Sequence, residues 1–417
     1  MRRLLLLALA LLLAAAAPAA AHLTPNSEVR LDFARDRVVA EVVIPLGELG
    51  YAMGRPIPPR AGPAPPGVAD YLRPRISARV PDGRPWTTTV RDLRIVDDGA
   101  APDLVAHVEL VPAPGASMRR FDLSYSAVID RVRNHFALVL VRTDYEGGQL
   151  SETPRLLGGL QWDARTLRVD RGAESAWRGF ASAIGLGMRH IAEGHDHLLF
   201  LMALLLPAPL IARDGRWRDY GGLRFTLGRL LRVVTAFTLG HSVTLIGGAF
   251  LGWRLPAQPV EVMIAISILV SALHAARPLF AGREPVVAAG FGLIHGLAFA
   301  TVIGHFGLDP WQKAQSILGF NLGIELVQLA VVAAVMPELT VMARTRSYPA
   351  IRTVAAAFCA IAAIAWIFER TLGVDNLIGR LIDTGLAHGP WLFGLLIAAT
   401  ALTVLADRLR KVAPASG

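Results

Sequence analysis

The stretch RHIAEGHDHLLFL (residues 189–201) joins two kinds of chemistry that seldom meet in a soluble protein. Its first nine residues carry three histidines, a glutamate and an aspartate, and its last four open the apolar run LLFLMALLL (198–206). Ionisable side chains are costly inside a bilayer, where they usually face a bundle interior or a water-filled cavity. The stretch therefore predicts a membrane helix that carries a functional polar site.

The composition of the whole chain agrees with a membrane protein. Of its 417 residues, 53% are hydrophobic, and the mean hydropathy of +0.45 is too high for an ordinary soluble protein. The net charge of +9 suits either a nucleic-acid-binding protein or a membrane protein with basic cytoplasmic loops. The positions of the basic residues decide between these two classes.

Seven apolar segments follow residue 175, each near the length of about 20 residues that spans a bilayer. They lie near 180–210, 226–251, 258–280, 285–306, 314–340, 350–370 and 388–406. The sequence thus predicts an all-α polytopic membrane bundle of about seven transmembrane helices over residues 175–410.

The basic residues between these segments fall on alternate sides. If the chain before residue 175 lies outside, the predicted cytoplasmic side carries Arg213, Arg216, Arg218, Arg224, Arg229, Arg232, Arg277, Arg283, Arg344, Arg346, Arg352, Arg408, Arg410 and Lys411. The predicted outer side carries only Arg254, Lys313, Arg370 and Arg380. This asymmetry follows the positive-inside rule, so we expect a multi-pass cell (inner) membrane protein with a cytoplasmic C-terminus. It also excludes nucleic acid as the reason for the basic charge.

Residues 1–21 have the pattern of a secretory signal peptide. Arg2 and Arg3 precede a leucine- and alanine-rich run that ends in small residues at 19–21. An uncleaved signal anchor is the alternative, and either reading exports the residues that follow. The chain has a single cysteine, Cys359, so the exported part is predicted to fold without a disulfide.

Residues 22–170 are predicted to form an extracytoplasmic all-β domain of the sandwich type. Apolar residues alternate in stretches such as 29–33, 38–44, 104–110 and 136–140, as expected for half-buried strands. The proline-rich stretch 55–67 is predicted to be a loop that does not pair in a sheet. No catalytic motif is evident in this domain.

The first membrane segment is predicted to be a continuous helix with a polar face. His190, Glu193 and His197 follow i, i+3, i+7 spacing, Asp196 lies beside them, and His195 points away.

The later segments carry matching polar residues. The motif FTLGHSVTL holds His241 and Ser242, and GFGLIHGLAFA holds His295. The motif FNLGIELVQL places three polar residues on one face, namely Asn321, Glu325 and Gln328, and a further segment begins with Glu261. Glycines at 292 and 296 and at 319 and 323 have the GxxxG spacing that permits close helix packing.

Histidine with a few carboxylates suits a divalent transition metal, either as a transported substrate or as a bound ion. Imidazole and carboxylate ligands without thiolates fit nickel, cobalt, copper, zinc or iron. The metal candidates are His190, Asp196, His197, His241, His295 and Glu325, with Glu193, Ser242, Glu261, Asn321 and Gln328 as secondary candidates. Cleavage after Ala21 would also make His22 the mature N-terminus, where its amine and imidazole could chelate copper, although a plain polar residue is the simpler reading.

The four motifs together resemble the HupE/UreJ family in its longer form, with an exported N-terminal domain. That resemblance implies a secondary nickel or cobalt permease and implies that the primary candidates and Asn321 line the metal pathway. A looser similarity to nickel/cobalt permeases rests on Asp196-His197 and Gly240-His241-Ser242. Here five residues, instead of the four of those permeases, separate His190 from Asp196.

Two other functions remain open from the residues alone. Three histidines with a carboxylate base could activate water, which would make the protein an intramembrane metal-dependent hydrolase. Alternatively, the β domain could bind an extracytoplasmic partner, which would make the protein a membrane sensor or assembly factor. The partners expected are the lipid bilayer, a metal ion and an unidentified extracytoplasmic protein.

Overall fold

The computed structural model describes residues 26–97, 101–253, 255–374, 376–386 and 389–412. The predicted signal peptide and His22 lie outside the described residues. The chain divides into two compact units. The first comprises residues up to 142 together with 153–172, and the second comprises 143–152 together with the chain from residue 173.

The first unit is rich in β-strands. Its strands are β1 (Ser27–Phe33), β2 (Val38–Pro45), β3 (Gly62–Pro63), β4 (Ile76–Arg79), β5 (Thr87–Val96), β6 (Asp103–Val111), β7 (Arg120–Tyr125), β8 (Ala137–Asp144), β9 (Gln149–Leu160) and β10 (Thr166–Asp170). Two short helices, α1 (Leu46–Met53) and α2 (Val68–Leu72), connect strands. The strand order is β3-β5-β6-β2-β1-β8-β9 in one sheet and β10-β7-β4 in the other.

The alternating apolar residues of the strands form the core of this unit. Val29 and Leu31 of β1 are fully buried, as are Phe121 and Leu123 of β7, and all four belong to one apolar cluster. Since β1 and β7 lie in different sheets, the two sheets share that core, as in a sandwich.

The predicted loop 55–67 is partly wrong, because Gly62 and Pro63 pair with β5 at the edge of the large sheet, where a proline is tolerated.

The second unit is mainly helical. Its helices are α3 (Ala176–Glu193), α4 (His195–Leu205), α5 (Leu223–Leu251), α6 (Ala257–Ala276), α7 (Glu284–His305), α8 (Pro310–Met342), α9 (Tyr348–Leu372), α10 (Leu377–Leu386) and α11 (Gly389–Val412). Among the described residues, five helices are long and apolar enough to cross a membrane: α5, α6, α8, α9 and residues Trp391–Leu409 of α11. Helix α4 and residues Glu284–Phe299 of α7 are shorter apolar helices.

The structure corrects the prediction of one continuous helix near 180–210. The backbone is extended at Gly194, with φ −78° and ψ 92°, so α3 ends and α4 begins there. A Cβ atom at this position would lie 2.7 Å from the carbonyl oxygen of His190 and 2.8 Å from His197 Nδ1. His190 and His197 therefore belong to different helices, and the predicted common face of a single helix is wrong.

The helical unit also contains a β-hairpin, which the all-α prediction missed. Strands β11 (Leu210–Arg213) and β12 (Arg216–Tyr220) flank Asp214 and Gly215, both with positive φ. An Asp-Gly pair between two short strands is a common hairpin turn. The short helix α10 was likewise not predicted.

Glycines allow two pairs of helices to approach closely, as the GxxxG spacing predicted. A Cβ atom at Gly292 of α7 would overlap the carbonyl oxygen of Phe237 on α5. A Cβ atom at Gly323 of α8 would likewise overlap the carbonyl oxygen of Ile184 on α3. These contacts fix α5 against α7 and α3 against α8, which brings the polar residues of the four helices together.

Candidate metal site

Four helices bring polar residues to a common level of the second unit. His241 lies about ten residues before the end of α5, and His295 lies about ten residues before the end of α7. Ser267 and Asn321 lie about ten residues after the starts of α6 and α8. Since successive helices run in opposite directions, each group sits about 15 Å from the same end of the bundle.

Four histidine rings form one cluster at this level, which we call the histidine cluster: His190, His197, His241 and His295. The ring centroids of His190 and His197 are 4.7 Å apart, and those of His197 and His295 are 4.9 Å apart. His241 joins through His190, at 6.4 Å. The structure thus brings together the four histidines among the six primary candidates, from four helices, and a fifth candidate, Asp196, contacts His197.

The histidine cluster is shielded from solvent. His241 and His295 are fully buried, and His197 is 6% exposed. Aromatic rings pack around the imidazoles, since Phe299 and Phe320 contact His190 while Phe200 and Phe237 contact His295. A polar group in such surroundings is costly unless it finds a partner or a ligand.

Asp196 orients the imidazole of His197. Its Oδ1 atom lies 2.9 Å from His197 Nδ1 and also accepts the backbone N–H of His197 at 2.9 Å. A carboxylate accepts hydrogen bonds only, so this contact assigns the proton to Nδ1 and leaves a lone pair on Nε2. The same carboxylate–imidazole arrangement orients many histidines that ligate metals.

Ser267 fixes the tautomer of His295. The serine hydroxyl donates its hydrogen to the carbonyl oxygen of Ile264 at 2.7 Å, and it lies 2.9 Å from His295 Nε2. With the serine hydrogen on Ile264, the serine oxygen accepts the hydrogen of Nε2, and this assignment leaves the lone pair on His295 Nδ1.

His241 has a similar partner in Asn321. The Asn321 side-chain nitrogen donates to the carbonyl oxygen of Ile317 at 2.9 Å, so its oxygen faces His241 Nδ1 at 3.4 Å. This long hydrogen bond places the proton on Nδ1 and the lone pair on Nε2.

One nitrogen of each ring in the histidine cluster is buried and has no hydrogen-bond partner. These atoms are His190 Nε2, His197 Nε2, His241 Nε2 and His295 Nδ1. For three of the rings the unpartnered atom is the one that bears the lone pair. Bare imidazole lone pairs in a buried site are the donors that a divalent transition metal requires.

The histidine cluster is not a closed coordination sphere. Within the described ranges, no group of three or more His, Cys, Asp or Glu side chains has the arrangement needed to hold a metal ion. Binding of an ion by three ligands would therefore require the rings to move toward one another.

The remaining candidates lie apart from the histidine cluster. Glu193 and Glu261 are exposed, Glu325 is half-buried, and Gln328 is buried with an unpartnered Oε1 atom. Ser242 donates to the carbonyl oxygen of Thr238 within its own helix. None of these five makes a hydrogen bond or ion pair with the clustered histidines in the part of the chain that the structure describes.

Two charged contacts at the start of α4 were missed by the sequence analysis. Arg370 near the end of α9 lies 3.7 Å from the second oxygen of Asp196 and donates to the carbonyl oxygen of Glu261. His195 contacts Asp383 of α10 at 3.1 Å. No local signal links residues so far apart in sequence, because only the packing of α9 and α10 brings them to α4.

Comparison with known families gives one match. Residues 165–370 match the family model described as HupE / UreJ protein. A search of curated proteins and a search of solved structures each found no match.

Proposed function

Because the chain belongs, over residues 165–370, to the HupE/UreJ family, we propose that it is a permease for a divalent transition metal. Nickel or cobalt is the favoured substrate, and the ion would pass through the histidine cluster. The family is of the transporter type and is associated with nickel and cobalt transport. The family match and the histidine cluster therefore support the same function.

One observation carries this proposal. Three buried imidazoles and the partly buried imidazole of His190, from four helices, each present a buried unpartnered nitrogen, and the three buried rings have their other nitrogen tied to an oxygen. A purely structural histidine would use both nitrogens or expose one to water, because an unpaired buried polar atom costs about 1–3 kcal/mol. Repeating that cost at four adjacent rings is best explained by a ligand that binds there.

The donor set favours particular metals. Neutral imidazole nitrogens with one nearby carboxylate suit nickel, cobalt, copper or zinc better than magnesium or calcium, which prefer oxygen ligands. Cys359 is buried within an apolar cluster of the bundle. Within this class, the family association favours nickel and cobalt.

Two further features support transport over permanent binding. Conduction requires sites that bind an ion and also release it, and the histidine cluster is not a closed coordination sphere. The interruption at Gly194 also separates His190 from His197. Interrupted membrane helices often form the substrate sites of secondary transporters.

We propose a topology of seven membrane crossings. Helices α3 and α4 would together form one interrupted crossing, and α7 would form a second crossing. The five long apolar helices would form the other five. Four exposed tryptophans lie at the ends predicted to face outward: Trp177, Trp253, Trp311 and Trp391. An aromatic belt on one side and arginines on the other support an exported β unit and a cytoplasmic C-terminus.

The test is metal accumulation in whole cells, measured by elemental mass spectrometry. Cells expressing the native protein, His197→Ala or His241→Ala would be compared with empty cells at matched expression. Ser242→Ala serves as the control, because its hydroxyl bonds only its own helix in the described structure. We expect more nickel or cobalt in native and control cells and no gain in the histidine variants.

Other outcomes would favour a different function for the protein. A histidine-dependent fall in one metal would indicate export. No difference for any metal would refute the permease. Tightly bound zinc together with a cleaved substrate would then favour the hydrolase. Loss of function only on deletion of the β unit would favour the sensor or assembly factor.

A further inference from the structure

A second pair of potential metal ligands lies in the β unit, far in sequence from the histidine cluster. His135 precedes β8, and Glu48 lies in the first turn of α1. The His135 side chain is 1% exposed, and its Nδ1 atom lies 3.9 Å from a carboxylate oxygen of Glu48. His135 Nδ1 is buried and has no hydrogen-bond partner.

The other ring nitrogen of His135 has a clear structural role. Nε2 lies 2.8 Å from the Ser27 hydroxyl at the start of β1, and Ser27 N–H donates to the carbonyl oxygen of Phe136. These contacts hold the loop before β8 against β1. They do not explain why the opposite nitrogen points at a carboxylate without bonding it.

Glu48 also opens onto a cavity of about 460 Å³. The cavity wall includes Tyr51, Arg131, Arg133 and Asn134, and the Arg133 guanidinium stacks 5.0 Å from the Trp162 ring. The Glu48 side chain is 29% exposed, so its carboxylate can rotate toward His135 and toward solvent. Water can therefore complete the coordination of an ion bound there.

We propose that His135 Nδ1 and the Glu48 carboxylate form a weak, solvent-accessible transition-metal site in the β unit. Two ligands each about 2.1 Å from a zinc-sized ion lie about 3–3.5 Å apart, so a shift of about 0.5 Å closes the pair. The nearby Arg131 charge lowers the affinity, which suits a site that captures and releases an ion. This site does not depend on the histidine cluster or on the proposed transport.

The protonation state of His135 agrees with this assignment. Burial lowers the pKa of His135 to about 4. The imidazole is therefore neutral at pH 7 and can present a lone pair at Nδ1 when Nε2 donates to Ser27.

The test is zinc and nickel titration of the purified full chain in detergent, in competition with a chromophoric chelator. A His197→Ala background removes one ligand of the histidine cluster, and the difference between each β-unit variant and this background reports binding at the β-unit site. We expect Glu48→Gln and His135→Gln each to weaken this binding at least about tenfold. Arg131→Gln should strengthen it roughly two- to fivefold, because it removes a repelling charge.

His107→Gln provides a matched control. His107 also faces a glutamate, Glu41, at 3.4 Å, but Arg30 and Arg142 already bond that carboxylate. We expect no change in metal binding from this variant. Unchanged affinity and stoichiometry in Glu48→Gln, whose side chain is partly exposed, would overturn the proposal. The binding assay uses purified protein, so a failure of metal transport in cells would leave this result unaffected.

Discussion

Replacing Gly292 with alanine tests whether the close contact between α5 and α7 builds the histidine cluster. The added Cβ would overlap the carbonyl oxygen of Phe237 and lie 2.9 Å from its carbonyl carbon and 3.0 Å from His241 N. Ordinary contact begins near 3.4 Å. The two helices must therefore separate by about 1 Å, which in a well-packed interior costs about 1–3 kcal/mol.

Gly290→Ala is the matched control on the same helix. A Cβ there would meet nothing within 4 Å. Both substitutions gain about 1 kcal/mol of helix propensity, so the difference between the two variants isolates the packing cost. The separation would also displace His241, one member of the cluster.

The assay is thermal unfolding in detergent together with metal accumulation in cells. At about 2–4 °C per kcal/mol for a unit of this size, Gly292→Ala should melt several degrees below Gly290→Ala. It should also lose most metal uptake, whereas Gly290→Ala should retain it. Equal melting temperatures and equal uptake would show that the close approach of α5 and α7 contributes nothing to the site.

Three further predictions concern Asp196, Ser267 and His135. Asp196→Asn keeps an acceptor for His197 but removes the charge, so metal affinity should fall about 10- to 100-fold in a chelator competition assay. Ser267→Ala leaves the Nε2–H of His295 unpaired, which should cost about 1–3 kcal/mol in thermal unfolding and reduce uptake; unchanged values in both assays would refute the assigned tautomer. Because burial lowers the pKa of His135 to about 4, the unfolded chain binds the proton first on acidification. Stability of the β unit should then fall by about 3 kcal/mol between pH 6.5 and pH 4, measured by hydrogen exchange of β1, and His135→Gln should flatten this slope.

The sequence determined by itself those features that depend on local periodicity. Alternating apolar residues located β1, β2, β6 and β8, and long apolar segments located most of the helices. The sequence also placed His241 and His295 inside apolar membrane segments, because the length of an apolar run is a matter of counting residues. GxxxG spacing correctly predicted the close approach at Gly292 and Gly323.

The tertiary structure decided which of these residues meet. Ser267 fixes the tautomer of His295 from another helix, and Arg370 reaches Asp196 from α9. Such pairs depend on how each helix is rotated and packed, and this is a property of the assembled bundle that no local pattern contains. For the same reason Glu193 and Glu261 were plausible ligands in sequence but lie exposed in the structure.

The break at Gly194 shows where local reasoning failed most clearly. The i, i+3, i+7 spacing of His190, Glu193 and His197 fits a helix face, yet the chain is extended at the glycine between them. The rings of His190 and His197 still meet across the interruption at Gly194, with their centroids 4.7 Å apart. The sequence therefore identified the histidines as candidate ligands, and the packing of the interrupted helix determined how they come together.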